Sequence, residues 1–306
     1  MAERKPSIVK AILKRFLYPQ HLARVISLQR NRKKIQRVYD DAQLKLYHQL
    51  LPGDFLHYGY FDDPATAPGD MSLNMIYKAQ ERYAEKLLEL VADTQSPVLD
   101  IGCGMGGMLG MMNKRGWNST GLTPDKNQCK HIREKYPNPL IESKFEDIDG
   151  VRFEGHFGTL ITSESFQYLK TDVALPLMRR LLKPGGRWVA CDYFRTGEAE
   201  EKSGHRWEQF EQLLKDNKLK LVQHTDITAH VLPTISYVYF LATQVGLPIK
   251  DFIEGKLEVK APGIHYALQE ALPLIQEKID KNIRTINPEI FAANKRYVLM
   301  VIEPVG

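Results

Sequence analysis

Cysteine is scarce in this sequence, and the three cysteines that occur are far apart. Cys103, Cys129 and Cys191 are an odd number among 306 residues, and no C-x-x-C pair is present. This spacing excludes a disulfide framework and argues against a zinc site, so no metal is expected. It favours a reducing compartment, and we therefore predict a cytoplasmic protein.

Long apolar runs are also missing. No stretch approaches the roughly 20 apolar residues that cross a bilayer, and the first residues lack the apolar core of a signal peptide. The composition, with 43% hydrophobic and 26% charged residues, is that of a globular protein. A chain of this length can bury a full α/β core and carry one sizeable addition.

Acidic residues are nearly absent before Val38. This segment holds eleven lysines and arginines against Glu3 alone, a net charge of +10. Because the whole chain carries +5, the remainder carries −5. Apolar residues at helical spacing, from Ile8 to Leu17, predict a basic amphipathic helix that binds an anionic membrane surface or an acidic carrier protein, or that docks on its own domain. Nucleic acid is a weaker interpretation, because interleaved aromatic residues are missing.

The stretch SPVLDIGCGMGG, from Ser96 to Gly107, combines a short apolar run with four glycines. Residues 98–101 are typical of a buried parallel strand. The glycines let the chain turn tightly and let a ligand approach the main chain. A predicted helix from Met108 to Lys114 follows, so we expect a ligand site at a helix N-terminus.

Two cofactor classes use such an arrangement. Gly102, Gly104 and Gly107 have the G-x-G-x-x-G spacing of dinucleotide-binding proteins. Asp100, however, lies two positions before Gly102 and would repel a pyrophosphate, whereas it suits an amino-bearing ligand. An NAD(P)-dependent oxidoreductase is therefore disfavoured, and a cofactor-binding module without catalysis stays open.

Strands alternate with helices along the rest of the chain, which predicts a parallel, doubly wound α/β sheet. The predicted strands are 98–101, 119–122, 140–145, 157–162, 188–192, 219–228 and 296–303. An insertion over residues 230–294, helical and rich in aromatic residues, precedes the last strand. We expect it to wall a substrate pocket, because its Tyr237, Tyr239, Phe240, Leu241, Phe252 and Tyr266 suit an apolar or amphipathic acceptor.

The end of the fourth predicted strand supplies the main catalytic candidate. Glu164 follows that strand directly, where α/β sheets bind ligands, and we expect it to orient the acceptor or to remove its proton. Tyr168, Tyr193 and His205 are secondary candidates near the same edge. In each case a purely structural role is the alternative.

The chain from Leu56 to Tyr193 resembles the class I S-adenosylmethionine-dependent methyltransferases. The resemblance rests on D-x-G-x-G-x-G at Asp100 to Gly106, on LHYGYF at Leu56 to Phe61 and on the LKPGG turn that begins at Leu182. It is closest to the branch with cyclopropane-fatty-acid, mycolic-acid and tocopherol-type methyltransferases. The resemblance implies a Rossmann-like seven-stranded sheet and S-adenosylmethionine as cofactor. The implied cofactor-binding residues are Tyr58, Asp100, Gly102, Cys103, Gly104, Gly106, Thr123, Gln128, Phe145 and Glu146.

Two departures from that family shape the expected chemistry. Thr123 and Pro124 stand where many class I enzymes place a ribose-binding carboxylate. The bicarbonate-binding residues of cyclopropane-forming enzymes are replaced by Tyr58 and by the run from Phe166 to Tyr168. We therefore expect plain methyl transfer rather than cyclopropanation.

The sequence thus predicts three parts. Residues 1–55 form a basic helical arm, residues 56–229 and 295–306 form the methyltransferase core, and residues 230–294 form the substrate-pocket insertion. The expected reaction is methyl transfer to a small lipid, isoprenoid or polyketide-like acceptor. The expected enzyme is cytoplasmic, and its peripheral association with a membrane stays open. A macromolecular (RNA or protein) methyltransferase that uses the arm is the alternative. The acceptor atom and the oligomeric state stay open.

Overall fold

Seven strands form one sheet in the part of the chain that the computed structural model describes, residues 18–30, 53–196 and 203–305. They are β1 (Val98–Ile101), β2 (Ser119–Leu122), β3 (Leu140–Ile141), β4 (Phe157–Ser163), β5 (Leu182–Arg195), β6 (Leu219–Asp226) and β7 (Lys295–Pro304). Their order is β3-β2-β1-β4-β5-β7-β6. The pairs from β3 to β5 are parallel, and β7 runs antiparallel between β5 and β6. The predicted Rossmann-like α/β class is confirmed.

Helices connect the strands and extend beyond them. They are α1 (Pro19–Arg30), α2 (Leu73–Leu88), α3 (Gly107–Lys114), α4 (Lys126–Lys135), α5 (Thr171–Leu181), α6 (Trp207–Asp216), α7 (Thr228–Leu241), α8 (Leu247–Lys260), α9 (Pro262–Leu268), α10 (Ala271–Thr285) and α11 (Pro288–Asn294). The helix predicted over residues 8–17 lies outside the described residues. Pro19 begins α1, where its missing N–H is not needed.

Two strands, β5 and β3, differ from their predicted lengths by more than two residues, for identifiable reasons. β5 begins at Leu182, because Leu182 already pairs with Phe157 of β4, and the regular pairing resumes at Arg187 opposite Thr159. Gly185 has φ +75°, and the register shifts between Phe157 and Thr159. β3 ends at Ile141, because the chain then turns into a short 3-10 helix, Phe145–Asp147.

Each face of the sheet packs its own hydrophobic cluster. On one face, Trp188, Phe194 and Met300 pack with residues of α5 and α6. On the other, Val98, Cys191 and Tyr297 pack with residues of α2, α3 and α7. The strands near the centre are therefore buried on both faces, which is why they read as continuous apolar runs.

The chain divides into two compact units. Residues 51–245 and 281–306 hold the sheet, and residues 1–50 and 246–280 form the other unit. In the second unit α8 and α9 pack together, and Lys250 Nζ donates to Gln276 Oε1 at 2.6 Å. The division falls inside the predicted insertion, because α7 packs into the sheet unit through Val231 and Ile235. None of the helices described here is both long and apolar enough to traverse a lipid bilayer.

Candidate functional site

The carboxyl ends of β1, β2 and β4 meet at one edge of the sheet. Ile101 lies opposite Leu122 on one side and Thr162 on the other. The residues that follow these strands are therefore neighbours. The residues that follow β1 and β4 lie very close together at Gly102, because a Cβ atom there would lie 2.5 Å from Cβ of Ser165.

The turn after β1 needs glycine for its conformation. Gly102, Gly104 and Gly106 have φ of +77°, +55° and +89°, the left-handed region that other residues avoid. The N–H groups of Gly102 and Cys103 bond the carbonyl of Leu122. In the described part of the chain no hydrogen bond is made by the N–H groups of Gly104 and Met105. The turn thus presents two free donors beside the N-terminus of α3.

Asp100 adds a negative group beneath this turn. The residue is 2% exposed, and its carboxyl group makes no hydrogen bond with any residue in the described ranges. Burial raises the pKa of its carboxyl group to about 7. A buried polar group without a partner is rare in folded proteins and indicates a ligand or an ordered water. An ammonium group is the partner that best stabilises its ionised form.

The segment 53–61 covers the glycine turn. The carbonyl of Asp54 accepts the N–H of Gly107 at 3.2 Å, and the side chain of Leu56 lies 3.4 Å from the Cβ position of Gly104. Farther along, the N–H of Gly59 donates to Oγ1 of Thr234 on α7 at 3.0 Å. The segment is thereby fixed both to the glycine turn and to the first helix of the predicted insertion.

The side chain of Asp54 fastens the start of this segment to α4. Lys135 Nζ lies 2.7 Å from its Oδ2, and the hydroxyl group of Tyr136 donates to the same atom. The Tyr136 ring also packs against Gly106. The segment 53–61 and the glycine turn are thus held together by the contacts of Asp54, Lys135 and Tyr136.

The other predicted cofactor residues lie around the ends of β2 and β3. Thr123 is buried, and its hydroxyl group donates to Oε1 of Gln128 at 2.6 Å, which leaves the Gln128 amide N–H groups as donors. Phe145 is buried in the core, and Glu146 Oε1 accepts the N–H of Lys170 at 3.0 Å. Cys103 is buried beside Gly121. Their roles toward the cofactor stay predictions.

Glu164 is held at this edge by two donors on one oxygen. The N–H of Tyr58 donates to its Oε1 at 2.7 Å, and the hydroxyl group of Tyr297 donates to the same atom. No residue in the described ranges bonds Oε2. The backbone of Glu164 has φ +49°, and its N–H bonds the carbonyl of Cys191 at 2.9 Å.

Burial sets the protonation of this carboxyl group. It raises the pKa of Glu164 to about 7, against the opposing effect of the hydrogen bonds from Tyr297 and from the N–H of Tyr58. A carboxylate with a pKa near neutrality can both accept and release a proton under ordinary conditions. Glu164 therefore has the electrostatics of an acid–base group.

The secondary catalytic candidates lie in different surroundings. Tyr193 is half-buried, faces Tyr297 across the β5–β7 pair and bonds Ser203 Oγ at 2.5 Å. His205 is turned toward the core, where its Nε2 lies 3.1 Å from the carbonyl of Phe166. Tyr168 is 78% exposed. Only Tyr193 of these three lies near the Glu164 carboxylate, and the catalytic roles of all three stay predictions.

Sequence reasoning missed Tyr297 and Tyr83. The two hydroxyl groups are 3.2 Å apart, and that of Tyr83 donates to the carbonyl of Cys191 at 3.3 Å. Tyr297 lies in the predicted last strand, β7, and Tyr83 lies in α2. A polar aromatic residue in the apolar RYVLMVIE strand was the available signal, because a buried tyrosine hydroxyl group needs a partner.

The residues present fit S-adenosylmethionine. Its amino acid end carries an ammonium group and a carboxylate, which match Asp100 and the free N–H groups of Gly104 and Met105. A pyrophosphate would instead meet the Asp100 carboxylate. The donor set therefore favours the sulfonium cofactor over a dinucleotide.

We expect Gly102→Ala to lower the affinity for S-adenosylhomocysteine at least tenfold, because its methyl group would push Ser165 and the turn apart. Isothermal titration calorimetry measures this. Gly116→Ala is the matched control, since Gly116 has φ +71° but no neighbouring atom within 4 Å of its Cβ position. Equal affinities of the two variants would contradict the close approach at Gly102.

Comparison with known proteins agrees with this geometry. Residues 98–186 match a family described as Methyltransferase domain. A protein of Talaromyces variabilis named S-adenosyl-L-methionine-dependent Diels-Alderase is 24% identical over 238 residues, which are 68% of this chain and 80% of that protein. The 2-methyl-6-phytyl-1,4-hydroquinone methyltransferase of Synechocystis is 31% identical over 147 residues, 46% of this chain and 45% of that protein.

Among solved structures, geranyl diphosphate C-methyltransferase from Streptomyces coelicolor has the same fold. It matches with a TM-score of 0.58 and 18% identity, over 82% of this chain and 90% of that chain. The matched family domain contains β1, the glycine turn and Glu164. From this combination of fold, turn chemistry and sequence match, we conclude that residues 98–186 form a methyltransferase domain within the fold of an S-adenosylmethionine-dependent methyltransferase.

Proposed function

We propose that Glu164 is the base that removes a proton from the methyl acceptor. The observation that carries this proposal is the single unbonded oxygen, Oε2, of a carboxylate held at the sheet edge beside the glycine turn. Oε1 is engaged by protein donors, so Oε2 is left to meet an acceptor. The acceptor is then an apolar molecule with an acidic proton, such as a phenol or an enol.

Aromatic side chains around Glu164 support an apolar acceptor. The rings of Tyr58 and Tyr193 lie 6.4 and 6.0 Å from that of Phe291, both edge to face. Lys295 Nζ lies 4.6 Å above the Tyr193 ring. Such surfaces favour a flat, apolar molecule and exclude water from the carboxylate.

The proposed reaction balances with one proton acceptor. S-adenosylmethionine supplies the electrophilic methyl carbon. The acceptor oxygen or carbon forms the new bond to that carbon while the bond between sulfur and the methyl carbon breaks. The acceptor proton passes to Oε2 of Glu164. The remaining work of the chain is to hold the acceptor about 3 Å from the methyl carbon and to exclude water.

Glu164→Gln tests the base directly. Its amide oxygen can still accept from Tyr58 and Tyr297, but the variant cannot take a proton. We expect the rate of methyl transfer to fall by about 10²–10⁴, with affinity for S-adenosylhomocysteine within about threefold of wild type. The measurement is transfer of labelled methyl groups to a panel of hydroquinones, phenols and prenylated compounds.

Glu154→Gln is the control, because Glu154 forms an exposed ion pair with Arg180 away from the site. Its rate should equal that of the wild type. A Glu164→Gln variant that binds S-adenosylhomocysteine and methylates acceptors at the wild-type rate would refute the proposal.

A second candidate activity is cyclisation of an apolar substrate with the cofactor bound. It is favoured by the match to a protein named S-adenosyl-L-methionine-dependent Diels-Alderase. The two activities differ in mass balance. Methyl transfer adds one methyl group and forms one S-adenosylhomocysteine per product, whereas cyclisation changes neither mass nor cofactor.

We also propose that the basic arm binds an anionic membrane surface from the cytoplasmic side. In α1, Leu22, Val25, Ile26 and Leu28 are exposed, and so are Arg24 and Arg30. Exposed apolar residues among basic ones suit a lipid surface, and the net +10 before Val38 is complementary to anionic headgroups. The three cysteines are free thiols, in keeping with a reducing compartment.

Vesicle sedimentation tests the membrane proposal. We expect the full chain to bind vesicles of phosphatidylcholine with phosphatidylglycerol, and an Arg24→Glu, Arg30→Glu variant to bind them at least tenfold more weakly. Lys215→Glu, an exposed charge on α6, is the control. Equal binding to neutral and anionic vesicles would contradict the proposal. Salt-sensitive binding to an acyl carrier protein, without vesicle binding, would favour a carrier instead.

A further inference from the structure

Tyr297 lies in a position that decides which oxygen of Glu164 can take a proton. Its side chain is fully buried on β7, and its hydroxyl group donates to Oε1 of Glu164. The backbone N–H of Tyr58 donates to that oxygen as well. Both lone pairs of Oε1 are thus used by donors that come from separate parts of the chain.

A proton cannot be added to Oε1 without losing the bond from Tyr58 or reversing the bond from Tyr297. The N–H of Tyr58 belongs to a fixed backbone and has no lone pair with which to accept. If Oε1 carried the proton, either the buried N–H of Tyr58 would lose its acceptor, which costs more than a typical hydrogen bond gains, or the Tyr297 hydroxyl group would have to accept and turn its own proton to Tyr83. Oε2 has no such competitor among the residues described.

Tyr83 keeps the Tyr297 hydroxyl group in place. The oxygen atoms of Tyr83 and Tyr297 are 3.2 Å apart, and Tyr83 directs its own proton to the carbonyl of Cys191. The His57 ring stacks on Tyr83 with 4.2 Å between ring centroids, which limits movement of the phenol. Because Tyr297 donates its only proton to Glu164, only Tyr83 can donate between the two phenols, and it shares its proton between the Tyr297 oxygen and the carbonyl of Cys191.

Burial keeps several other titratable groups near Glu164 protonated at neutral pH, and the Lys295 ammonium group lies 4.6 Å above the Tyr193 ring. Burial raises the pKa of Tyr297 and Tyr83 well above 10, so both remain donors. Burial also raises the pKa of Asp192 to about 8, and that of Tyr193 to about 12. It raises the pKa of the Cys191 thiol as well.

We propose that Tyr297, supported by Tyr83, is a positioning residue that reserves Oε2 of Glu164 as its proton-accepting oxygen. The inference rests on the proposed role of Glu164, but it concerns the carboxyl group itself. It can therefore be tested without any acceptor. The methyl-transfer rate of Glu164→Gln tests the role of Glu164 as a base, whereas the experiment below tests only which oxygen carries the proton, so the failure of one can be told from the failure of the other.

Infrared spectroscopy of the full chain tests the proposal. Spectra recorded across the pH range show the C=O stretch of protonated carboxyl groups, and subtraction of the Glu164→Gln spectrum assigns the Glu164 band. When the proton is on Oε2, the carbonyl oxygen is Oε1, which accepts two hydrogen bonds. Tyr297→Phe removes one of them, so we expect the band to move to higher wavenumber.

The same titration gives the protonation midpoint. The wild type should titrate near its pKa of about 7. Tyr297→Phe removes a donor to the ionised form, so its midpoint should rise by about one pH unit. Tyr60→Phe is the matched control, because Tyr60 stacks on His230 and does not bond Glu164. An unchanged C=O wavenumber in Tyr297→Phe would place the proton on Oε1 and overturn the proposal.

A second variant covers the case in which Tyr297→Phe does not fold. Replacement of Tyr297 by a ring-fluorinated tyrosine keeps the shape and makes the phenol a stronger donor. The C=O band should then move to lower wavenumber and the midpoint should fall. A fluorinated variant with the wild-type band and midpoint would also overturn the proposal.

Discussion

A carboxylate removed from water must be held by donors, and Glu164 is held by groups from two distant parts of the chain. Tyr58 lies 106 residues before it and Tyr297 lies 133 residues after it. For both to reach Oε1, the covering segment must cross the sheet edge and β7 must lie beside β5. The antiparallel insertion of β7 into an otherwise parallel sheet supplies that second neighbour. The proposed role of Glu164 as a base depends on the path of segment 53–61 and on the pairing of β7 with β5.

The cofactor side of the site depends on the same edge. Gly102 contacts Ser165, the residue after Glu164, so the glycine turn and the carboxylate cannot move independently. The segment that contributes the Tyr58 N–H also covers the turn through Leu56. Donor binding and acceptor chemistry are thus arranged by one set of packing contacts, which is how a methyl group and a nucleophile are brought into line.

The sequence was informative where a single segment determines the outcome. β1 and β2 have their predicted bounds, because β1 is a short, mainly apolar run that ends at Gly102 and β2 ends just before Thr123 and Pro124. Glu164 was recognisable from its place after β4. The partners of Glu164 were not, because no local pattern connects Tyr83 or Tyr297 with it. Only the strand order makes Tyr297 a neighbour of Tyr193 and of Glu164.

A crystal structure of the full chain with S-adenosylhomocysteine tests the central claim most directly. The account predicts that the ligand's ammonium and carboxylate groups lie against Asp100 and the N–H groups of Gly104 and Met105. It also predicts that Oε2 of Glu164 faces the space beside the sulfur atom. A ligand bound away from the glycine turn, or a Glu164 with both oxygens bonded to protein donors, would contradict it.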